Sequence, residues 1–141
     1  LRASVDATGQ RPVDRSGTAA FAVGQFADVV VVSPQDRLDH ANSEAFWEAL
    51  EPLLADCRPG GVSVVLDLSD LAYVSSAGLR SFMLAAKRAK GQDGEIVIAG
   101  MQSVVREIFE ISRFTLLFRV FADVGTALEA LSPRAAQAFG G

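Results

Sequence analysis

The sequence predicts one α/β domain with a mostly parallel central sheet and helices packed against it, in the order ββαβαβαβα. Three features carry that expectation. β-branched, strand-like runs alternate with segments of helical period between Phe21 and Leu131. The run Val62-Ser63-Val64-Val65-Leu66-Asp67-Leu68 is apolar on both faces at its centre, as a covered parallel strand is. The 141 residues suit a single domain, and half of them are hydrophobic, so a core can form without staples.

Each element follows from its residues. Phe21 and Val23 alternate with smaller residues, Gly24-Gln25 allows a turn, and Asp28-Val29-Val30-Val31-Val32 forms a second strand that Pro34 closes. Asn42 or Ser43 can cap a helix with Phe46, Ala49, Leu50, Leu53 and Leu54 on its inner face, and Pro59-Gly60-Gly61 breaks the chain before the central strand. A second helix starts at Ser76 or Ala77, with Leu79, Phe82, Met83 and Ala86 at helical spacing, and Gly91-Gln92-Asp93-Gly94 ends it. Glu95-Ile96-Val97-Ile98-Ala99 is the next strand. Ser103 can cap a third helix with Val104, Val105, Ile108 and Phe109 facing inward. Phe118–Phe121 is the last strand, and Asp123 can cap a final helix carrying Val124, Ala127, Leu128 and Leu131. Residues 1–17 show no period and read as a flexible N-terminal arm. Residues 132–141 read as a loose C-terminal tail, which leaves 18–131 as the folded body.

Composition removes several classes of function. There are 13 basic and 17 acidic side chains, a net charge of −4. That balance disfavours nucleic acid and anionic membrane as partners, since both need clustered cations. With one cysteine and one histidine, a His/Cys metal site is not expected. The lone Cys57 allows no intrachain disulfide, which fits a reducing, cytoplasmic setting. No apolar run reaches the ~20 residues of a membrane span, and Leu1-Arg2-Ala3-Ser4 shows no secretory pattern. Dinucleotide and phosphate-loop motifs are absent, so no cofactor is expected. His40 reads as a surface-loop histidine, and Cys57 as structural. Lys87, Arg88 and Lys90 sit where a helix C-terminus favours cations.

In open parallel sheets, sites form where strand carboxyl ends meet helix amino ends. That rule selects the loops around residues 33–42, 69–77 and 100–103. One stretch there stands out: a strand ending in Asp67-Leu68-Ser69 leads through Tyr73-Val74 to Ser75-Ser76-Ala77-Gly78-Leu79-Arg80. Ser76 falls where an N-cap would sit, and a capping role alone would account for it. An exposed hydroxyl there could also accept a phosphate. That group's roughly −1.5 to −2 charge would be tolerated by free helix amides, while the local surface potential would invert. Gly78 in the first turn costs about 1 kcal/mol relative to Ala. Close helix–sheet packing and close approach of another chain are both adequate reasons for it.

These stretches resemble the STAS domain, the family of bacterial anti-sigma factor antagonists. The matching segments are Arg37-Leu38-Asp39, Val64–Ser69, Tyr73–Leu79, Gly94–Gly100 and Val105–Phe114, in the family's order and over roughly residues 18–131. The resemblance implies a binding partner rather than an enzyme. An anti-sigma factor that is also a serine kinase would bind the unphosphorylated chain. It would spend its own ATP on a serine at the start of the second helix, and a serine phosphatase would reset the switch. The acceptor aligns with Ser76, with Ser75 as the alternative. The implied partner surface comprises Asp36, Arg37, Asp39, His40, Ser75, Ser76, Ala77, Gly78 and Arg80. Three positions depart from the family pattern: Ser75 stands where many phosphorylated members have Asp, and Asp36 and Arg113 stand where many have Gly. A second reading is a STAS interaction module without a phospho-switch, within a larger signalling or transport protein. The absence of an initial Met keeps that setting open.

Overall fold

The β-branched runs do form the centre of a sheet. The computed structural model describes residues 11–12 and 21–140. β1 (Arg11–Pro12), β2 (Phe21–Phe26), β3 (Val29–Pro34), β5 (Ser63–Asp67), β7 (Ile96–Ala99) and β8 (Arg119–Phe121) make a six-stranded sheet in the order β1-β2-β3-β5-β7-β8. The β2–β3 hairpin is antiparallel, and β3, β5, β7 and β8 run parallel. A separate parallel pair joins β4 (Asp36–Leu38) to β6 (Leu71–Val74). The helices are α1 (Ser43–Leu50), α2 (Ser76–Gly91), α3 (Ser103–Ile111), α4 (Val124–Leu131) and α5 (Pro133–Gly140).

Alternation along the strands assigns the helices to faces, because successive side chains point to opposite sides. Val30, Val32, Val64, Leu66, Ile96 and Ile98 pack with Phe46, Phe82 and Phe109 from α1, α2 and α3. Val29, Val31, Val65 and Val97 pack with Ala127 and Leu128 of α4 and Ala135 of α5. The larger core carries a relay of rings: Phe21, Phe46, Phe82, Phe109 and Phe114, with successive centroids 5.4, 6.1, 5.8 and 5.8 Å apart. Edge-on and tilted arrangements of this kind suit the aromatic quadrupole. The three parallel crossovers, through α1, α2 and α3, all lie on one face, so the strand order never reverses.

Several expectations are corrected. β2 runs through Gly24 and Gln25, and the hairpin turns at Ala27-Asp28, with Ala27 at φ 52°. Residues 133–140 are not a loose tail but α5, fixed by buried Ala135 and by Phe139 edge-on against Phe26 at 5.2 Å. The apolar spacing in that segment is short, and only the underside of the sheet gives it something to cover. Within the expected arm, Arg11–Pro12 pairs with β2; the rest of residues 1–17 lies outside the described residues. Gln102, not Ser103, occupies the α3 N-cap position and makes no side-chain cap bond. Val104 is half exposed rather than inward. Asn42 precedes α1 without bonding a helix amide, since its side chain is spent on the preceding loop. Asp123 does cap α4, accepting from the Thr126 amide at 2.8 Å.

Cys57 is buried beside Glu95, whose carbonyl oxygen accepts from its thiol at 3.3 Å. Burial pushes its pKa up, so the reactive thiolate is disfavoured.

Candidate functional site

The small β4–β6 sheet is what assembles the site, because it joins two distant loops. Its register sets Arg37 opposite Tyr73 and Leu38 opposite Val74. At its start the Asp36 amide donates to the Asp70 carbonyl at 2.9 Å, with Asp36 at φ 67°. At its end the Ser75 amide donates to the Leu38 carbonyl at 2.9 Å. The last residue of β4 is thereby tied to the cap of α2.

The 36–43 loop is held by its own side chains. Asp39 accepts from the Ala41 amide at 3.0 Å and from Arg37 Nε at 2.9 Å. Asn42 accepts from the Asp39 amide and donates to the Arg37 carbonyl, at 2.9 and 3.0 Å. The Ser43 hydroxyl donates to the Asp39 carbonyl. Partial desolvation pushes the Asp39 carboxyl up, but the Ala41 amide and the Arg37 guanidinium outweigh it, and its pKa lies below the ordinary value. The Arg37 guanidinium also lies over the Tyr73 ring, 5.2 Å from its centroid. Arg37, His40 and Tyr73 are exposed.

The two serines have different local roles. Ser75 is the N-cap of α2, in extended conformation, and its hydroxyl accepts from the Gly78 amide at 3.4 Å. Ser76 is the first helical residue and is exposed. The expected capping role thus belongs to Ser75, and the Ser76 side chain has no such employment. Arg80, four residues on and on the same helix face, is also exposed and forms no ion pair with the described residues. Ala77 is half-buried. Gly78 is buried, and a Cβ there would stand 2.8 Å from the Leu38 carbonyl oxygen. Packing within the chain accounts for that glycine, and it does not belong to an exposed partner surface.

The β4–β6 pairing therefore brings the segment that carries Asp36, Arg37 and Asp39, with His40 next in the chain, beside Ser75 and the start of α2, which carries Ser76 and Arg80. Tyr73 and Asn42 join them, and neither was expected from sequence. For Tyr73 the signal is weak, because a strand of four residues carries no readable period, and Asn42 enters through loop hydrogen bonds to residues 37 and 39 that no local pattern announces. The carboxylates nearby hold the fold. Asp67 accepts from the Ser69 amide and hydroxyl at 3.1 and 2.8 Å. Among the described residues no group of three or more His, Cys, Asp or Glu could hold a metal, and no helix is long and apolar enough to cross a membrane.

The STAS domain family model matches residues 20–127. A Bordetella bronchiseptica protein named as an anti-sigma factor antagonist, BtrV, is 41% identical over 92 residues, covering 65% of this chain and 77% of that protein. A crystal structure of an anti-sigma factor antagonist from Mycobacterium paratuberculosis superposes with a TM-score of 0.71 at 20% identity, over 84% of this chain and 97% of that one. The Bacillus cell fate determinant SpoIIAA in its phosphorylated form gives a TM-score of 0.62 at 16% identity, over 80% of this chain and all of that one. The two structural likenesses show a shared fold.

Proposed function

The chain belongs to the STAS domain family of anti-sigma factor antagonists, and from that premise we propose that it is a phosphorylation-switched member. In this reading the unphosphorylated chain binds an anti-sigma factor that is also a serine kinase. The kinase supplies ATP and phosphorylates Ser76, the complex dissociates, and a serine phosphatase restores the starting state. The chain itself catalyses nothing. The setting is cytoplasmic.

One observation carries the reading: Ser76 is an exposed hydroxyl at the first position of a 16-residue helix whose cap is supplied by its neighbour. A phosphate on Ser76 leaves the Ser75 cap intact. It would sit at the positive end of the α2 dipole, one turn from Arg80, so the fold would tolerate it. A partner seated against Arg37, His40 and Ser76 would not. Up to two negative charges desolvated against partner acids or nucleotide phosphates cost several kcal/mol, enough for release. The phosphorylated state of SpoIIAA, a protein of the same fold, supports this reading.

The test is phosphopeptide mass spectrometry on the chain from its own host, in growth and under stress. Trypsin leaves Leu38–Arg80 as one peptide, since Arg58 precedes Pro59. Condition-dependent phosphate on Ser76 supports the proposal. Phosphate on Ser75 alone moves the acceptor to the cap. No phosphate in any condition, with the protein abundant, replaces the switch with an unswitched interaction module.

A further inference from the structure

A cavity of about 660 Å³ lies at the far end of α2 from Ser76, between the last turns of that helix, the start of β7 and the segment before β8. Its volume falls in the range of small-molecule sites, roughly 300–1,000 Å³. Met83, Ala86 and Ile96 line it on the core side. Leu116 and Leu117 line it from the segment before β8, although they are 77% and 50% exposed. Two adjacent leucines left this open beside a concave apolar wall are an incomplete contact rather than scattered surface residues.

The rim has a charge pattern that selects the head group. Lys87, Lys90 and Arg119 stand against Asp93 and Glu95. Arg119 and Glu95 lie within 3.9 Å of one another and offset each other. Lys87 and Lys90 are exposed and form no ion pair with the described residues. Both project from the last two turns of α2, beside the apolar wall, which leaves the rim net positive against a chain of net charge −4.

We infer that this cavity is a binding site for a small anionic amphiphile, a molecule with an apolar body and one carboxylate. The body covers Met83, Ala86, Leu116 and Leu117, and the carboxylate meets Lys87 and Lys90. A concave site of this size favours a small molecule over a protein surface. The inference does not depend on phosphorylation of Ser76.

The test is amide-resolved NMR titration of the full chain with decanoate, and with decyltrimethylammonium as a tail of matched length and opposite charge. The expected result is saturable shifts centred on Met83–Lys90, Glu95–Ile96 and Leu116–Arg119, with decanoate bound about tenfold more tightly than the cation. The double variant Lys87→Glu/Lys90→Glu should lose or reverse that preference. Leu116→Asn, at an exposed position, should weaken both tails and keep the thermal midpoint of the natural chain, whereas the double lysine variant should stay folded with a slightly lower midpoint, because the C-terminal end of α2 favours cations. Absent or non-saturable shifts, shifts centred elsewhere, equal binding of the two head groups, or an unchanged preference in the double lysine variant would each overturn the assignment.

Discussion

Gly78 is packed directly against the carbonyl of Leu38: a Cβ at that position would lie 2.8 Å from the Leu38 oxygen and 2.6 Å from Val74 Cγ2. The same carbonyl accepts the Ser75 amide, so β4 and the first turn of α2 are in contact through backbone as well as side chain.

Gly78→Ala should therefore destabilise the fold despite Ala's better helix propensity. Propensity would return about 1 kcal/mol, whereas overpacking of a rigid backbone neighbour costs about 1–3 kcal/mol. A net loss of up to roughly 2 kcal/mol is expected in urea denaturation. A stabilised variant would mean that α2 can shift away from β4 freely.

The two serines should separate in the same measurement. Ser75→Ala removes the α2 cap and should cost about 0.5–1 kcal/mol, the lower part of the usual range because the cap bond is 3.4 Å long. Ser76→Ala should stay within about 0.5 kcal/mol of the natural chain. If the proposed switch operates, a partner-binding assay should show the larger effects at Ser76, with Ser76→Asp weakening binding of the kinase and Ser76→Ala preserving it while preventing release.

Arg113 occupies the left-handed region at φ 61°, just past the α3 C-cap Ser112. It forms no ion pair with the described residues. A non-glycine residue there carries about 1–2 kcal/mol of strain, part of which glycine returns through the greater freedom of its unfolded chain. Arg113→Gly should raise stability by about 0.5–1 kcal/mol, read as a higher thermal midpoint.

Acid should loosen the C-terminal helix. The Ser132 hydroxyl donates to Asp28 at 2.6 Å and accepts from the Ala135 amide at 3.2 Å, and Arg134 approaches the same carboxylate at 3.7 Å. The Ser132 hydrogen bond is the main cause holding the Asp28 pKa below its ordinary value of 3.8, with Arg134 assisting. A lowered folded-state pKa stabilises the native state above the unfolded value. That contribution is lost as pH falls from 3.8 through the depressed native value. Hydrogen exchange in α5 should accelerate across that window, and Asp28→Asn should flatten the dependence.

The legible parts of the fold were those with a period. Val62–Leu68 and Glu95–Ala99 read as buried strands because their cores are apolar on consecutive residues, and α2 read as a helix from Leu79, Phe82 and Ala86. The site was legible only as sequence segments. That residues 36–40 and 73–76 share one surface depends on the β4–β6 pair, whose three and four residues are too few to show alternation. The identity of the capping serine turned on one residue of phase, which adjacent serines cannot resolve. α5 was missed because its driving contact is the far face of the sheet, which no local window contains. Asp36 and Arg113 both adopt the left-handed backbone that glycine takes most easily, a conformation that no propensity of Asp or Arg announces.

The uninterrupted order of strands along the sheet bears on how the chain reaches this state. From β1 to β8 each main-sheet strand joins the edge left by the previous one, and none must be inserted between two already paired. Closures are consequently sequential, with partners 34, 32 and 22 residues apart across the three parallel pairs (Val29–Ser63, Val64–Ile96 and Val97–Arg119), so no closure spans the whole sheet. A chain emerging from the ribosome could extend its sheet one crossover at a time, with α4 and α5 sealing the second face only at the end.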